Sequence, residues 1–116
     1  MPYLNLTTNV KLDDAKAFAL DFSKFSAKVL KKPESYIAVS YTYNDTLTFG
    51  GSFEPSFQLS VISLGNINPE VNVTYSKAIS DYLGEKLGTS NSRGYITFVD
   101  PGYENLGYSG KTFAAP

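Results

Sequence analysis

Two of the side chains that most often move protons in enzymes are missing: the 116-residue chain has neither His nor Cys. Thiol nucleophiles, disulfides, Ser-His-Asp triads, histidine acid–base pairs and the common zinc ligands are excluded with them. Carboxylates, Lys, Tyr and the terminal amine remain as candidate bases. The eleven Asp and Glu residues are scattered, and no pair has a spacing that specifies a site. Pro2 stands apart. It follows Met1, and small second residues, Pro included, are those after which an initiator Met is commonly excised. Pro2 would then be a terminal secondary amine. An α-amino group ionises at about 7.7–8.0, over two units closer to neutrality than Lys. Burial among aromatics and a neighbouring Lys charge lower that value further. A base poised near the working pH moves protons best. With Met1 in place the Pro2 nitrogen is a tertiary amide and has no basicity.

The elements that would position Pro2 form two halves of similar plan. Tyr3 to Thr7 alternates apolar and polar residues, a strand starting almost at the terminus. Asp13 and Asp14 open a helix, and Phe18, Phe22, Phe25 and Val29 make its apolar stripe before Pro33 stops it. Tyr36 to Tyr43 reads as a second strand. Phe57, Leu59 and Val61 alternate with Gln58 and Ser60 in a third. Asn68 caps a second helix with Pro69 at its first position, Val71, Tyr75, Ala78 and Tyr82 as its stripe, and Gly88 just past its end. Tyr95 to Val99 is the fourth strand. The Tyr-Ile pairs at 36–37 and 95–96 lie half a chain apart, which fits an internal duplication.

Right-handed crossovers put both helices on one face of the resulting sheet. The expected fold is therefore α+β: two pseudo-repeated β-α-β units forming a four-stranded mixed sheet with two helices on one side. The opposite face carries Asn5, Thr7, Ala38, Ser40, Thr42, Gln58, Ser60 and Thr97, which are small and mostly polar. Such a face could line the wet interior of a symmetric oligomer or stand free in solvent.

Length gives one domain, over residues 1–116. Ten basic and eleven acidic residues give a net charge of −1, and the one basic run, Lys28 to Lys32, ends a helix, where cations complement the dipole. Nucleic acid is not an expected partner. No apolar run approaches the roughly 18 residues of a membrane span, and no charged-then-apolar leader opens the sequence. The expected location is cytoplasmic, with export independent of a signal peptide as the alternative. The Asn-x-Thr triplets at Asn5, Asn44 and Asn72 are read as accidental.

Several motifs occur in a fixed order. Pro2 and its strand are followed by Lys32-Pro33, Tyr36-Ile37-Ala38-Val39, Phe49-Gly50-Gly51-Ser52 and Glu54-Pro55. Then come Ser63-Leu64-Gly65, Tyr75-Ser76-Lys77, Tyr95-Ile96, Gly107 and Thr112-Phe113. Each is weak alone. The collinear set resembles the macrophage migration inhibitory factor and D-dopachrome tautomerase family over essentially the whole chain. The resemblance implies a homotrimer whose three sheets surround a central channel, with active sites between subunits. It implies that Pro2 is the catalytic base, that Lys32 holds a substrate carboxylate, and that the Leu64 backbone amide binds substrate. Tyr36, Tyr95, Leu106, Tyr108 and Phe113 match the family's hydrophobic pocket, some of them across the subunit interface.

Two departures from the family bear on chemistry. Thr97 stands where the family often has Asn, so one hydroxyl does the work of an amide. Ser56 to Leu59 replaces the Cys-x-x-Cys of the mammalian cytokines, which excludes thiol oxidoreductase activity. The resemblance thus implies a cofactor-free, metal-free keto–enol tautomerase acting on an aromatic 2-keto acid such as phenylpyruvate, or on dopachrome. A cytokine-like protein with a vestigial pocket and a protein receptor is the alternative. Decarboxylation or hydration of a small acid comes third, because that chemistry usually adds arginines near the proline and this chain has only Arg93.

Overall fold

The computed structural model describes residues 1–115; Pro116, the last residue of the expected domain, lies outside the described residues. Strand β1 (Pro2–Thr8) is followed by helix α1 (Ala15–Leu30) and strand β2 (Ala38–Tyr43). Strand β3 (Phe57–Ser63), helix α2 (Pro69–Leu87) and strand β4 (Gly94–Val99) repeat the pattern. Two-residue strands β5 (Gly107–Tyr108) and β6 (Lys111–Thr112) close the chain in a small hairpin. The main sheet runs β2-β1-β3-β4, with β1 parallel to β2, β3 parallel to β4, and the two units joined antiparallel through β1 and β3. The expected duplicated β-α-β plan is the one observed.

Period-two alternation fixes which face of each strand is buried. Leu4 and Leu6 of β1 and Phe57, Leu59 and Val61 of β3 face the helices and are almost fully buried. Phe18, Phe22 and Leu30 of α1 meet them, with Tyr75, Ile79, Tyr82, Leu83 and Leu87 of α2. Phe25 and Val29, expected in the α1 stripe, are only half-buried; Ser26 and Leu30 take the innermost positions instead. Asp14 caps α1 by accepting from the Ala17 N–H at 3.0 Å, and Asn68 caps α2 by accepting from the Val71 N–H at 2.8 Å. The helices are joined by Tyr82, whose hydroxyl donates to Asp21 at 2.6 Å. That hydrogen bond holds the Asp21 carboxyl below its ordinary value, with help from the Lys86 charge. Burial, followed by the same bond, pushes the Tyr82 phenol up.

One boundary differs from expectation. Tyr36 does not begin β2: Glu34–Tyr36 form a single 3-10 turn, and the strand starts at Ala38. Pro33 has an extended backbone, and the Tyr36 N–H bonds back to its carbonyl at 3.0 Å, so the chain turns once before it can pair with β1. The helix also ends before Pro33. Lys31 takes a left-handed conformation (φ 56°) and the Lys32 N–H bonds to the Ala27 carbonyl at 3.0 Å.

Gly94 is required for close approach. It pairs with Phe57 across the β3–β4 ladder, and a Cβ at this position would lie 2.5 Å from two carbons of the buried Phe57 ring and closer still to a third. Gly94→Ala must displace that ring from the core, and overpacking of this kind costs about 1–3 kcal/mol. Urea unfolding should show a midpoint lowered accordingly. An unchanged midpoint would mean the ring has room to move.

Candidate active site

Strand β1 carries its first residue inside the sheet. Pro2 is less than 2% exposed, with β2 on one side of its strand and Ser63 of β3 directly opposite it on the other. A proline can start a strand because only its missing N–H is lost from the ladder. Beside it opens a cleft of about 470 Å³ between the start of β1, the 35–40 segment and the C-terminal hairpin. Pro2, Val39, Tyr36, Leu106, Tyr108 and Phe113 are among the residues that line it.

The hairpin holds the last of these in place. Ser109 and Gly110 both take positive φ (57° and 80°), the conformation of a tight two-residue turn. The Phe113 N–H bonds to the Leu106 carbonyl at 3.1 Å, and the Tyr108 and Phe113 rings stack at 5.9 Å. Gly50 and Gly51 serve a turn of the same kind elsewhere, between Phe49 and Ser52.

Charge in the cleft is set by the terminus. Met1 lines it, and the terminal amine is held below its ordinary value of 8.0, first by burial and then by the Lys32 charge. Both causes disfavour the ammonium form. Lys32 follows the C-terminal end of α1, the position from which its charge reaches the terminus. In the chain with Met1 attached, that amine belongs to Met1.

The structure therefore brings Pro2, Tyr36, Leu106, Tyr108 and Phe113 into one cleft, with Lys32 acting on it electrostatically. Leu64 directly follows Ser63, the β3 partner of Pro2, which puts its backbone beside the same terminus. Tyr95 and Thr97 are not in this cleft. They lie on β4, the opposite edge of the sheet, where they face outward with Asn5, Thr7, Gln58 and Ser60. Sequence reasoning missed Tyr3, Ile37 and the Asn5–Ser40 pair, joined at 2.9 Å, as cleft residues. Tyr3 is adjacent to Pro2 and on the outward face by alternation, a signal that was available.

Arg93 has a structural task. Its guanidinium donates to the Pro55 and Glu54 carbonyls at 3.0 Å and lies 5.5 Å from the Phe49 ring centre, pinning the β2–β3 connection. Asn9 pins the same segment from the other side, donating to the Leu47, Phe53 and Glu54 carbonyls and accepting from the Ser56 N–H.

The chain is thus a duplicated β-α-β sheet with a buried proline at the start of a central strand, beside an aromatic cleft. The sequence profile of the macrophage migration inhibitory factor (MIF) family matches residues 1–114. A macrophage migration inhibitory factor homolog from Trichinella spiralis is 37% identical over 114 residues, 97% of this chain and all of that one. The macrophage migration inhibitory factor of Xenopus tropicalis is 36% identical over 115 residues, 98% of this chain and all of that one. The solved structure of the Trichinella spiralis factor superposes with a TM-score of 0.89 at 36% identity, covering 96% of this chain and 99% of that one. A homologue from Prochlorococcus marinus gives a TM-score of 0.88 at 28% identity, covering 96% and 98%. The chain belongs to the macrophage migration inhibitory factor family.

Because burial outranks the Lys32 charge, Lys32→Ala should raise the pKa of the terminal amine while leaving it below 8.0. Titrating the amine by NMR in both proteins checks this. A pKa that stays put or falls would place the Lys32 charge elsewhere.

Proposed function

We propose that the protein is a keto–enol tautomerase in which Pro2, freed of Met1, is the general base and acid. The observation that carries this reading is geometric: Pro2 is buried at the start of a central strand and lines a cleft walled by aromatic side chains. An unprotonated secondary amine there takes a proton from the carbon beside a substrate carbonyl and returns it to the carbonyl oxygen. The carbonyl already acidifies that carbon, so the amine and a site for the substrate suffice. Lys32 would pair with the carboxylate of an aromatic 2-keto acid such as phenylpyruvate, and Leu64 would offer its backbone amide. The substrate ring would lie among Tyr36, Leu106, Tyr108 and Phe113.

Assembly as a homotrimer completes this site. Tyr95 and Thr97 stand at the sheet edge opposite Pro2, so they can join the cleft only from a second copy. Three features favour such a copy. Strands β2 and β4 are open edges, which ordinarily need pairing or cover. Tyr95 is 71% exposed. The radius of gyration is 14.7 Å, against roughly 13 Å for a compact chain of this length.

Removal of Met1, verified by intact mass, should give phenylpyruvate tautomerase activity. Pro2→Gly, or a chain that keeps Met1, should lose it by about 100-fold or more, the contribution of a positioned acid–base group. Activity within a few-fold of wild type in a chain shown to keep Met1 would end this mechanism. Lys32→Ala should cost a keto acid roughly 10- to 150-fold in kcat/KM, the range for a charge-assisted hydrogen bond. Its methyl ester should lose several-fold at most, and equal losses on both would return Lys32 to a helix-end role. Light scattering at micromolar concentration should give three times the chain mass; a monomer would remove Tyr95 and Thr97 from the site.

A further inference from the structure

We propose that Ser63 is a positioning residue for the Pro2 nitrogen: its hydroxyl accepts the proline N–H and so aims the nitrogen lone pair into the cleft. The inference rests on the reading of Pro2 as the base and adds a residue to that site.

Ser63 stands directly opposite Pro2 in the β1–β3 ladder, and both side chains face the helix layer. Residues so opposed hold their Cβ atoms about 4.5–5.5 Å apart, and the serine oxygen extends one bond beyond that. Ser63 is fully buried, and its Oγ has no hydrogen-bond partner. A buried hydroxyl left unpaired is costly, so an unpaired one invites a reason. Ser26, Ser56, Asn72 and Thr89 also carry buried unpartnered atoms among the described residues, but none of them is paired in the sheet with Pro2.

The chemistry of the terminus supplies the reason. With Met1 attached, the Pro2 nitrogen is a tertiary amide that neither donates nor accepts, so the hydroxyl beside it has nothing to bind. Loss of Met1 turns that nitrogen into an amine with one N–H and one lone pair. Either could face the cleft, and only the lone pair is useful there. Ser63 accepting the N–H decides the matter. When the amine takes a proton from substrate, the new N–H occupies the cleft side and is delivered from there to the carbonyl oxygen. The serine proton does not move, and the hydrogen bond to Ser63 persists through both forms.

An acceptor binds the ammonium form more tightly than the amine, so Ser63 raises the pKa of the Pro2 amine it accepts from. Lys32 is the charged group acting on this terminus, and the phenols of Tyr3, Tyr36 and Tyr108 share the cleft. Removing the hydroxyl should therefore lower the amine pKa.

The test uses the Met1-free chain labelled with 15N-proline, as wild type, Ser63→Ala and Ser63→Thr. Titration of the Pro2 nitrogen needs no turnover, and phenylpyruvate kinetics are measured alongside. Ser63→Ala should lower the pKa by roughly half a unit to one unit. It should lower kcat about 10-fold with KM nearly unchanged, since only the aim of the base is lost. Ser63→Thr keeps a hydroxyl and should keep both values. An unmoved pKa in Ser63→Ala, or the same downward shift in Ser63→Thr, overturns the proposal even if the wild type is active. A pKa shift in a wild-type background that shows no turnover would instead uphold the contact and overturn the tautomerase reading.

Discussion

Everything at the site depends on β1 being paired with β3 from its first residue and with β2 from its second. Chain termini usually fray because little holds them. Here Pro2 lies opposite Ser63 of β3 and Tyr3 lies opposite Ala38 of β2, so the terminus is fixed in the middle of a sheet. Leu4 and Leu6, two and four residues on, are almost fully buried under both helices. Fraying the terminus would pull those leucines from the core. The burial of Pro2 and the burial that stabilises the fold therefore share one strand.

The rest of the molecule supports that strand or shapes the space beside it. Helix α1 must end early enough to bring Lys32 back toward the terminus, and the left-handed Lys31 achieves this in one residue. The 3-10 turn at Glu34–Tyr36 then aims Tyr36 into the cleft before β2 takes up its pairing with β1. The C-terminal hairpin supplies the opposite wall from a segment that adds no strand to the main sheet. Arg93 and Asn9 hold the long β2–β3 connection by its carbonyls, away from the cleft. The single arginine is thus committed to the scaffold, which leaves the amine and Lys32 as the cationic groups bearing on the cleft.

Much of this was legible in the sequence because the governing signals are local. Alternation in β1 and β3 gave the buried face of each strand, and Asn68-Pro69 gave the start of α2 to the residue. Tyr36 was misplaced because Tyr-Ile-Ala-Val reads as strand by side-chain type, while the turn it occupies is set by Pro33 two residues before it. The α1 stripe was shifted because Ser26 is small enough to sit innermost, a packing fact that hydrophobicity does not reveal. The site divides in the same way. Pro2, Tyr36, Leu106, Tyr108 and Phe113 converge within one chain, but Tyr95 and Thr97 are separated from them by the width of the sheet. Only the resemblance to a known family assigns them to the site, and no pattern within one chain points there. Ser63 was hidden for a different reason. A serine at the end of an apolar strand reads as a boundary, and only the register shows which residue it faces.

If Pro2 is the base, one nitrogen, the Pro2 amine, both titrates and catalyses. The most direct measurement compares two pKa values in the Met1-free chain: that of the 15N-labelled Pro2 amine by NMR, and that of the acid limb of kcat/KM against pH. They should coincide below 8.0, with activity rising as the amine loses its proton. A kinetic pKa well separated from that of the nitrogen, or a rate indifferent to its protonation, would contradict it.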